Sequence, residues 1–251
     1  MPDTAEWWEG YFDERFIALY RDFLTPERTA REVGGLLEML MLPPGAEVLD
    51  LACGWGRHSI ALAREGFKVT GQDLSETLLA RARKRAEKAE VAVDFVRGDM
   101  RQVPWTGRFD AVLSMFSSLG YFLSDDEDLK VLRAAHDALK PDGLFVMETM
   151  HRDHVVAAFA DRDWWDAGDG STVWVEREFD AVEGVSREWT RWRRGDATGE
   201  KYHELRIRSA TEWDVLLRRA GMVPVEWYGD WELAPFIHSS EDLIVVCRRA
   251  E

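Results

Sequence analysis

The chain has no apolar run approaching the roughly 18 residues that a membrane-spanning helix requires. Its opening residues, Met1-Pro2-Asp3-Thr4-Ala5-Glu6, supply neither a basic nor an apolar segment. No secretory leader is therefore expected, and the expected location is cytoplasmic. Cysteine is scarce. Cys53 and Cys247 both fall in expected core segments and read as small apolar side chains of a reducing compartment, not as a disulfide. Positive charge is also short: 32 Lys and Arg stand against 47 Asp and Glu, a formal net charge of -15. A duplex or tRNA would be repelled on average, so nucleic acid is disfavoured as a partner. No metal site is expected.

What is present fits one α/β domain, or one carrying a modest insertion, at 251 residues. Phe12, Phe16, Leu19 and Phe23 recur at helical spacing, and Pro26 starts a second helical unit that ends near Leu42. After Pro43-Pro44-Gly45 the texture alternates. Strands are predicted at Glu47–Leu51, Phe67–Gly71, Val91–Val96, Phe109–Ser114 and Leu144–Met147, with helices at His58–Glu65, Ser75–Glu90 and Asp126–Leu139 between them. Strict strand-helix order predicts a doubly wound parallel sheet. From residue 171 the pattern changes: Thr172–Phe179, Val185–Arg193 and Lys201–Arg208 alternate apolar and charged residues, as antiparallel strands with one wet face do. A helix (Thr211–Ala220) and two strands (Val223–Tyr228, Leu243–Arg248) follow.

Ligands of open α/β sheets bind where the strands end. Gly54-Trp55-Gly56 follows the first strand and lets backbone approach a ligand, though nicotinamide enzymes share such a loop. Asp73 ends the second strand, 23 residues after Asp50, where a carboxylate can accept both hydroxyls of a ribose. Gly98-Asp99-Met100 follows the third strand; Asp99 can accept from an adenine amino group while Met100 packs on the ring.

Together, Val48–Gly56, Asp73 and Asp99-Met100 resemble the class I S-adenosylmethionine (SAM)-dependent methyltransferases over residues 46–150 and the last two strands. The resemblance implies a Rossmann-like, seven-stranded, mostly parallel sheet with an antiparallel insertion between strands five and six. It implies SAM as cofactor, with Asp50 holding the glycine loop and the amino group, Asp73 the ribose, and Asp99 and Met100 the adenine. Ala52, Gly54, Gly56, Leu74 and Met115 complete the implied contacts. Trp55 departs from the commoner Thr or Ser and would narrow the pocket; Ser59, where a dinucleotide fold wants glycine, favours SAM over NAD.

The run Ser114–Tyr121, with Tyr11 and Tyr20 upstream, looks like the small-molecule branch, which includes aminosugar N-methyltransferases. There, aromatic residues of the N-terminal helices close over SAM, which implies a cofactor contact for Tyr11 and Tyr20. Tyr121 stands where a relative's base can be His, and Glu148 and His151 after strand five are the other candidates to contact the acceptor or take its proton. The expected activity is transfer of the methyl of SAM to an N or O atom of a small molecule. A peptide amine or RNA acceptor, and a SAM-binding regulator without transfer, are the rivals. Met115-Phe116-Ser117-Ser118 lacks the Asn/Asp-Pro-Pro-aromatic run of rRNA and DNA amino-methyltransferases.

The expected organisation is a helical cap over 1–42, a SAM-binding core over 43–150 and 211–251, and an insertion over 151–210 that covers the acceptor. The alternative for that insertion is a homodimer surface. Of Trp174, Trp189 and Trp192, two are expected merely to cover one sheet face, and the Arg187, Arg191, Arg193, Arg194 run is expected to be solvated.

Overall fold

The computed structural model describes residues 6–250. Three helices open it: α1 (Trp8–Tyr11), α2 (Glu14–Tyr20) and α3 (Pro26–Leu40). Each longer one has a local reason to start. Asp13 accepts from Phe16 N–H to cap α2, and Thr25 accepts from Arg28 N–H to cap α3, with Pro26 pre-set for the first turn. The core then runs β1 (Glu47–Leu51), α4 (Arg57–Arg64), β2 (Lys68–Asp73), α5 (Glu76–Lys88), β3 (Val93–Arg97), β4 (Phe109–Ser114), α6 (Asp125–Ala138) and β5 (Leu139–Met150). Next come α7 (Arg152–Ala157), β6 (Arg162–Asp166), β7 (Thr172–Asp180), β8 (Val185–Arg194) and β9 (Ala197–Arg206). The chain closes with α8 (Ala210–Arg219), β10 (Met222–Tyr228) and β11 (Asp242–Arg249). None of these helices is long and apolar enough to cross a membrane.

The main sheet has seven strands in the order β10-β11-β5-β4-β1-β2-β3, all parallel except β11, which runs against both its neighbours. This is the Rossmann-like arrangement expected, and its central strands are buried on both faces. Leu49, Leu51, Val112, Phe145 and Val245 pack with α6 and α8. Val48, Ala111, Leu113, Val146 and Ile244 pack on the other face with Val33, Leu36 and Leu40 of α3. The strand order reverses between β1 and β4, which places a crevice at their carboxyl ends.

The second sheet is antiparallel, β6-β7-β8-β9, and enters the chain between β5 and β10. Three of its strands follow the predicted runs; β6 and α7 do not. Arg162-Asp163-Trp164-Trp165-Asp166 shows no alternation because it is an edge strand, exposed along most of its length. The sheet's inner face carries Val173, Val175, Glu188, Thr190 and Leu205, all buried. Trp192 belongs to that face and lies 3.7 Å under the Arg15 guanidinium, whereas Trp174, cross-strand from Trp164, is outward and exposed. Arg187, Arg191 and Arg194 make ion pairs with Glu183 and Glu204, with Glu176 and Glu200, and with Asp169.

Candidate active site

One cavity opens where β1, β2, β3 and β4 end. Asp50, Ala52, Gly54, Asp73, Leu74, Asp99, Met100, Met115 and Tyr121 all line it. The loop after β1 runs through the left-handed region: Gly54 and Gly56 stand at φ of 57° and 70°, which glycine adopts freely, and Ala52 at 60°, which a residue with a side chain rarely does. Gly56 does not line the cavity. A Cβ there would lie 2.8 Å from the Phe95 ring and 3.1 Å from Ala82, so its glycine lets α4 and α5 close on β3.

Gly54 N–H donates to Asp73 Oδ2 at 2.8 Å, and Ser75 N–H donates to Oδ1 at 2.8 Å. Burial pushes the Asp73 carboxyl up to about 6, against the pull of those two N–H groups. Asp50 is buried at the floor and accepts from Ser59 O–H at 2.5 Å; burial raises its pKa, while His58 and Ser59 pull it back. Ser59, read from sequence only as an absent glycine, thus holds the acidic residue of the loop.

Asp99 is engaged elsewhere. Arg101 donates to it from Nε at 2.9 Å, from Nη2 at 2.5 Å and from its backbone N–H at 2.8 Å, and the guanidinium lies 4.5 Å over Phe122. Gln72 sits beside it, its Nε2 donating to the Asp99 carbonyl at 2.9 Å and its Oε1 buried without a partner. Both Gln72 and Phe122 line the cavity, and sequence reasoning had passed over them.

Another unanticipated group is Glu32 of α3, fully buried. It accepts from Arg28 Nε at 2.7 Å and from Arg57 Nη1, and pairs with His58 Nε2 at 2.8 Å. Burial works against its charge, but His58 and Arg57 hold the carboxyl well below the usual range. Arg57 and His58 line the cavity, so this network forms its wall toward the N-terminal helices.

The loop after β4 has two successive residues in the left-handed region, Phe116 at φ 58° and Ser117 at φ 54°. Glu148 explains how they persist. Its Oε2 accepts from Phe116 N–H at 2.5 Å, and its carbonyl accepts from Ser117 N–H at 3.1 Å. Glu148, a candidate for acceptor contact, is not among the residues that line the cavity. Nor is His151, which is buried against Phe236, with Nδ1 3.1 Å from the Ser240 carbonyl oxygen. Tyr121 does line it, stacked on Phe12 at 5.7 Å and edge-on to Trp7 at 5.0 Å. Burial, with the Asp73 charge, holds its phenol well above the ordinary range.

Trp8, Phe12, Phe16 and Trp55 form the aromatic wall. Tyr11 and Tyr20 stand behind that wall, not in it. Tyr20 O–H donates to Glu188 Oε1 at 3.1 Å, Tyr11 and Tyr20 hydroxyls are 3.3 Å apart, and Arg177 Nε donates to Glu188 Oε2 at 2.7 Å. His203 of β9 lies against Tyr11 and Trp7 at 5.1 and 5.7 Å, its Nδ1 buried and unpartnered. Burial lowers its pKa, which keeps the imidazole neutral. A polar cluster thus sits on the inner face of the antiparallel sheet, one ring behind the cavity.

The comparisons with known proteins agree with this geometry. The family model described as "Methyltransferase domain" matches residues 48–143. A protein of Geobacillus sp. (strain WCH70), named for methyltransferase activity, is 31% identical over 211 residues, covering 80% of this chain and 84% of the relative. The dTDP-3-amino-3,4,6-trideoxy-alpha-D-glucopyranose N,N-dimethyltransferase of Streptomyces venezuelae is 31% identical over 163 residues, 64% of this chain and 61% of that protein. The SAM-bound structure of an amino pentose methyltransferase from Micromonospora echinaspora superposes with a TM-score of 0.68 at 24% identity, covering 89% of this chain and 91% of that one. With the first relative matched over most of both lengths and the glycine loop, Asp73 and strand order all in place, the chain belongs to the SAM-dependent methyltransferase family.

Proposed function

We propose that the protein methylates an amine nitrogen of a small polar molecule, with an amino sugar as the reference acceptor. The observation that carries this is the position of the Glu188 cluster. The cavity wall is aromatic, Trp8, Phe12, Phe16 and Trp55, and the buried Glu188 carboxylate lies in a polar cluster behind it; ring faces backed by negative charge suit an amine, which arrives as a cation. The Streptomyces relative acts on a sugar-borne nitrogen by its name.

The cavity's residues fit SAM. Among its buried polar atoms, one donor (Arg57 Nη2) and one acceptor (Gln72 Oε1) have no protein partner, as a pocket built for a zwitterionic nucleoside requires. Asp73 would hold the ribose hydroxyls. The loop from Ala52 to Gly54 would carry the methionyl part, with Asp50 toward its ammonium, and Leu74, Met100 and Met115 would pack on the apolar surfaces. Asp99, tied to Arg101, would meet the adenine through the edge of that pair. When bound, SAM supplies an electrophilic methyl on a sulfonium.

The protein's own part is to position the acceptor and to cover the reacting groups. The Phe116-Ser117 loop, pinned by Glu148, fixes the floor on which the acceptor rests. Tyr121, kept protonated by burial, donates a hydrogen bond and does not act as base. The acceptor nitrogen must attack unprotonated and its surplus proton passes to bulk water, since His203 lies behind the Trp7 and Tyr11 rings and does not line the cavity. The N-terminal helices cover the site through Trp8, Phe12 and Phe16, and residues 151–210 lie behind them, joined to the loop after β4 by the bond from Arg206 N–H to the Gly120 carbonyl at 2.9 Å. Incubation with methyl-labelled SAM and separate pools of amines, alcohols, peptides and RNA tests the proposal. Label confined to a small amine is expected, and label confined to peptide or RNA contradicts it.

A further inference from the structure

Among the described residues that line the cavity, Glu9, Asp50, Asp73 and Asp99 carry carboxylates and Arg57 is the single Lys or Arg. SAM has the converse pattern: an ammonium, a sulfonium and one carboxylate. The cavity's one cation is also the group with an open valence. Arg57 is 8% exposed, its Nη1 donates to Glu32, and its Nη2 is buried with no protein partner. A buried guanidinium N–H left unmade is costly, and a carboxylate is the partner whose two oxygens match its fork.

Position supports the same assignment. Arg57 is the first residue of α4, directly after the Gly54-Trp55-Gly56 loop. The helix therefore presents its positive end and its free N–H groups beside the guanidinium, and both favour an anion. Glu32 has no oxygen left to offer Nη2: Oε1 accepts from Arg28 Nε at 2.7 Å, and Oε2 is shared by Arg57 Nη1 and His58 Nε2.

We propose that Arg57 Nη2 holds the carboxylate of the methionyl part of SAM, and that Glu32, reaching from α3, positions that arginine by occupying Nη1. A consequence is linkage. Because one guanidinium joins the N-terminal helix to the cofactor, a carboxylated ligand stabilises the seating of α3, and a seated α3 tightens binding of that ligand by the same factor.

The test compares S-adenosylhomocysteine with its decarboxylated counterpart, which differs by the carboxylate alone. Calorimetry on the full chain should show the wild type preferring the carboxylated ligand by at least tenfold. Arg57→Gln should lose at least tenfold in affinity for S-adenosylhomocysteine while its affinity for the decarboxylated ligand stays within about twofold. Arg57→Lys should recover part of the preference. Glu32→Gln, a positioning change, should narrow the preference by about threefold or more without abolishing it. Equal weakening of both ligands by Arg57→Gln would mean that Arg57 acts through the fold, and unchanged affinity for both would mean that it touches neither; each overturns the proposal. If Arg57→Gln does not fold, the wild-type comparison decides: equal affinity for the two ligands contradicts it.

Discussion

Glu148 Oε2 accepts the Phe116 backbone N–H at 2.5 Å, across 32 residues, and holds Phe116 at a φ of 58°. The carboxylate at the end of β5 thus shapes the loop after β4 without itself lining the cavity.

Glu148 also titrates in a measurable range. Burial, with the charges of Asp242 and Glu32, pushes it from 4.5 up to about 7. A group whose pKa rises on folding gives its full stabilisation below the unfolded value and loses it as pH climbs through the folded one. Glu148 should therefore stabilise the fold fully below pH 4.5 and no longer above about pH 7, a change of roughly 3 kcal/mol at most. Glu148→Gln removes the titration and can still accept from Phe116. In urea unfolding, wild-type stability relative to this variant should fall by roughly 2–3 kcal/mol between pH 4.5 and 7.5. A constant difference would mean that Glu148 ionises normally.

For Asp73, the expected loss on substitution by Ala is about 1.5–3 kcal/mol of S-adenosylhomocysteine affinity, the range for bonds to a charged group. Because its carboxyl is pushed up to about 6, wild-type affinity should weaken as pH falls through that value, and the variant should lack this dependence. Equal pH profiles in the two proteins would place the ribose elsewhere.

Tyr121→Phe separates a donor from a base. Since the phenol is held well above its ordinary range, the shape of the pH–rate profile should survive the change, while kcat falls by about tenfold or less, the scale of one neutral hydrogen bond. Loss of a limb of that profile would show that Tyr121 is ionised during turnover.

Gly120 connects the loop after β4 to the antiparallel sheet. It stands at φ 99°, and a Cβ there would lie 2.5 Å from the Arg206 carbonyl oxygen. Gly120→Ala should cost at least about 1–3 kcal/mol in unfolding free energy and lower acceptor turnover, with cofactor affinity kept within about tenfold. Intact turnover in a destabilised variant would show that the junction serves stability alone.

The parallel core was legible because strands buried on both faces must be short apolar runs separated by helices, as Val48-Leu49 and Val112-Leu113 show. The glycine loop and Asp73 were legible because their chemistry is local to strand ends. Partners distant in the chain were not. Arg28 and Glu32 stand four residues apart on α3 with no sequence signal of burial, yet Glu32 is fully buried and paired with Arg57 and His58 of α4. His203 lies in an alternating strand where nothing distinguishes an inward imidazole from an outward one. Asp99 carries the expected residue type, and only the fold shows that Arg101, two positions on, has taken its oxygens.

The most direct measurement is methyl transfer itself. Purified protein, methyl-labelled SAM and a nucleotide-linked 3-amino sugar, run beside the 3-hydroxy analogue and total RNA, should place label on the sugar nitrogen alone, with Asp73→Ala at least about tenfold slower below saturation. Label on the hydroxyl analogue or RNA, with none on the amine, would contradict an amine-methylating site.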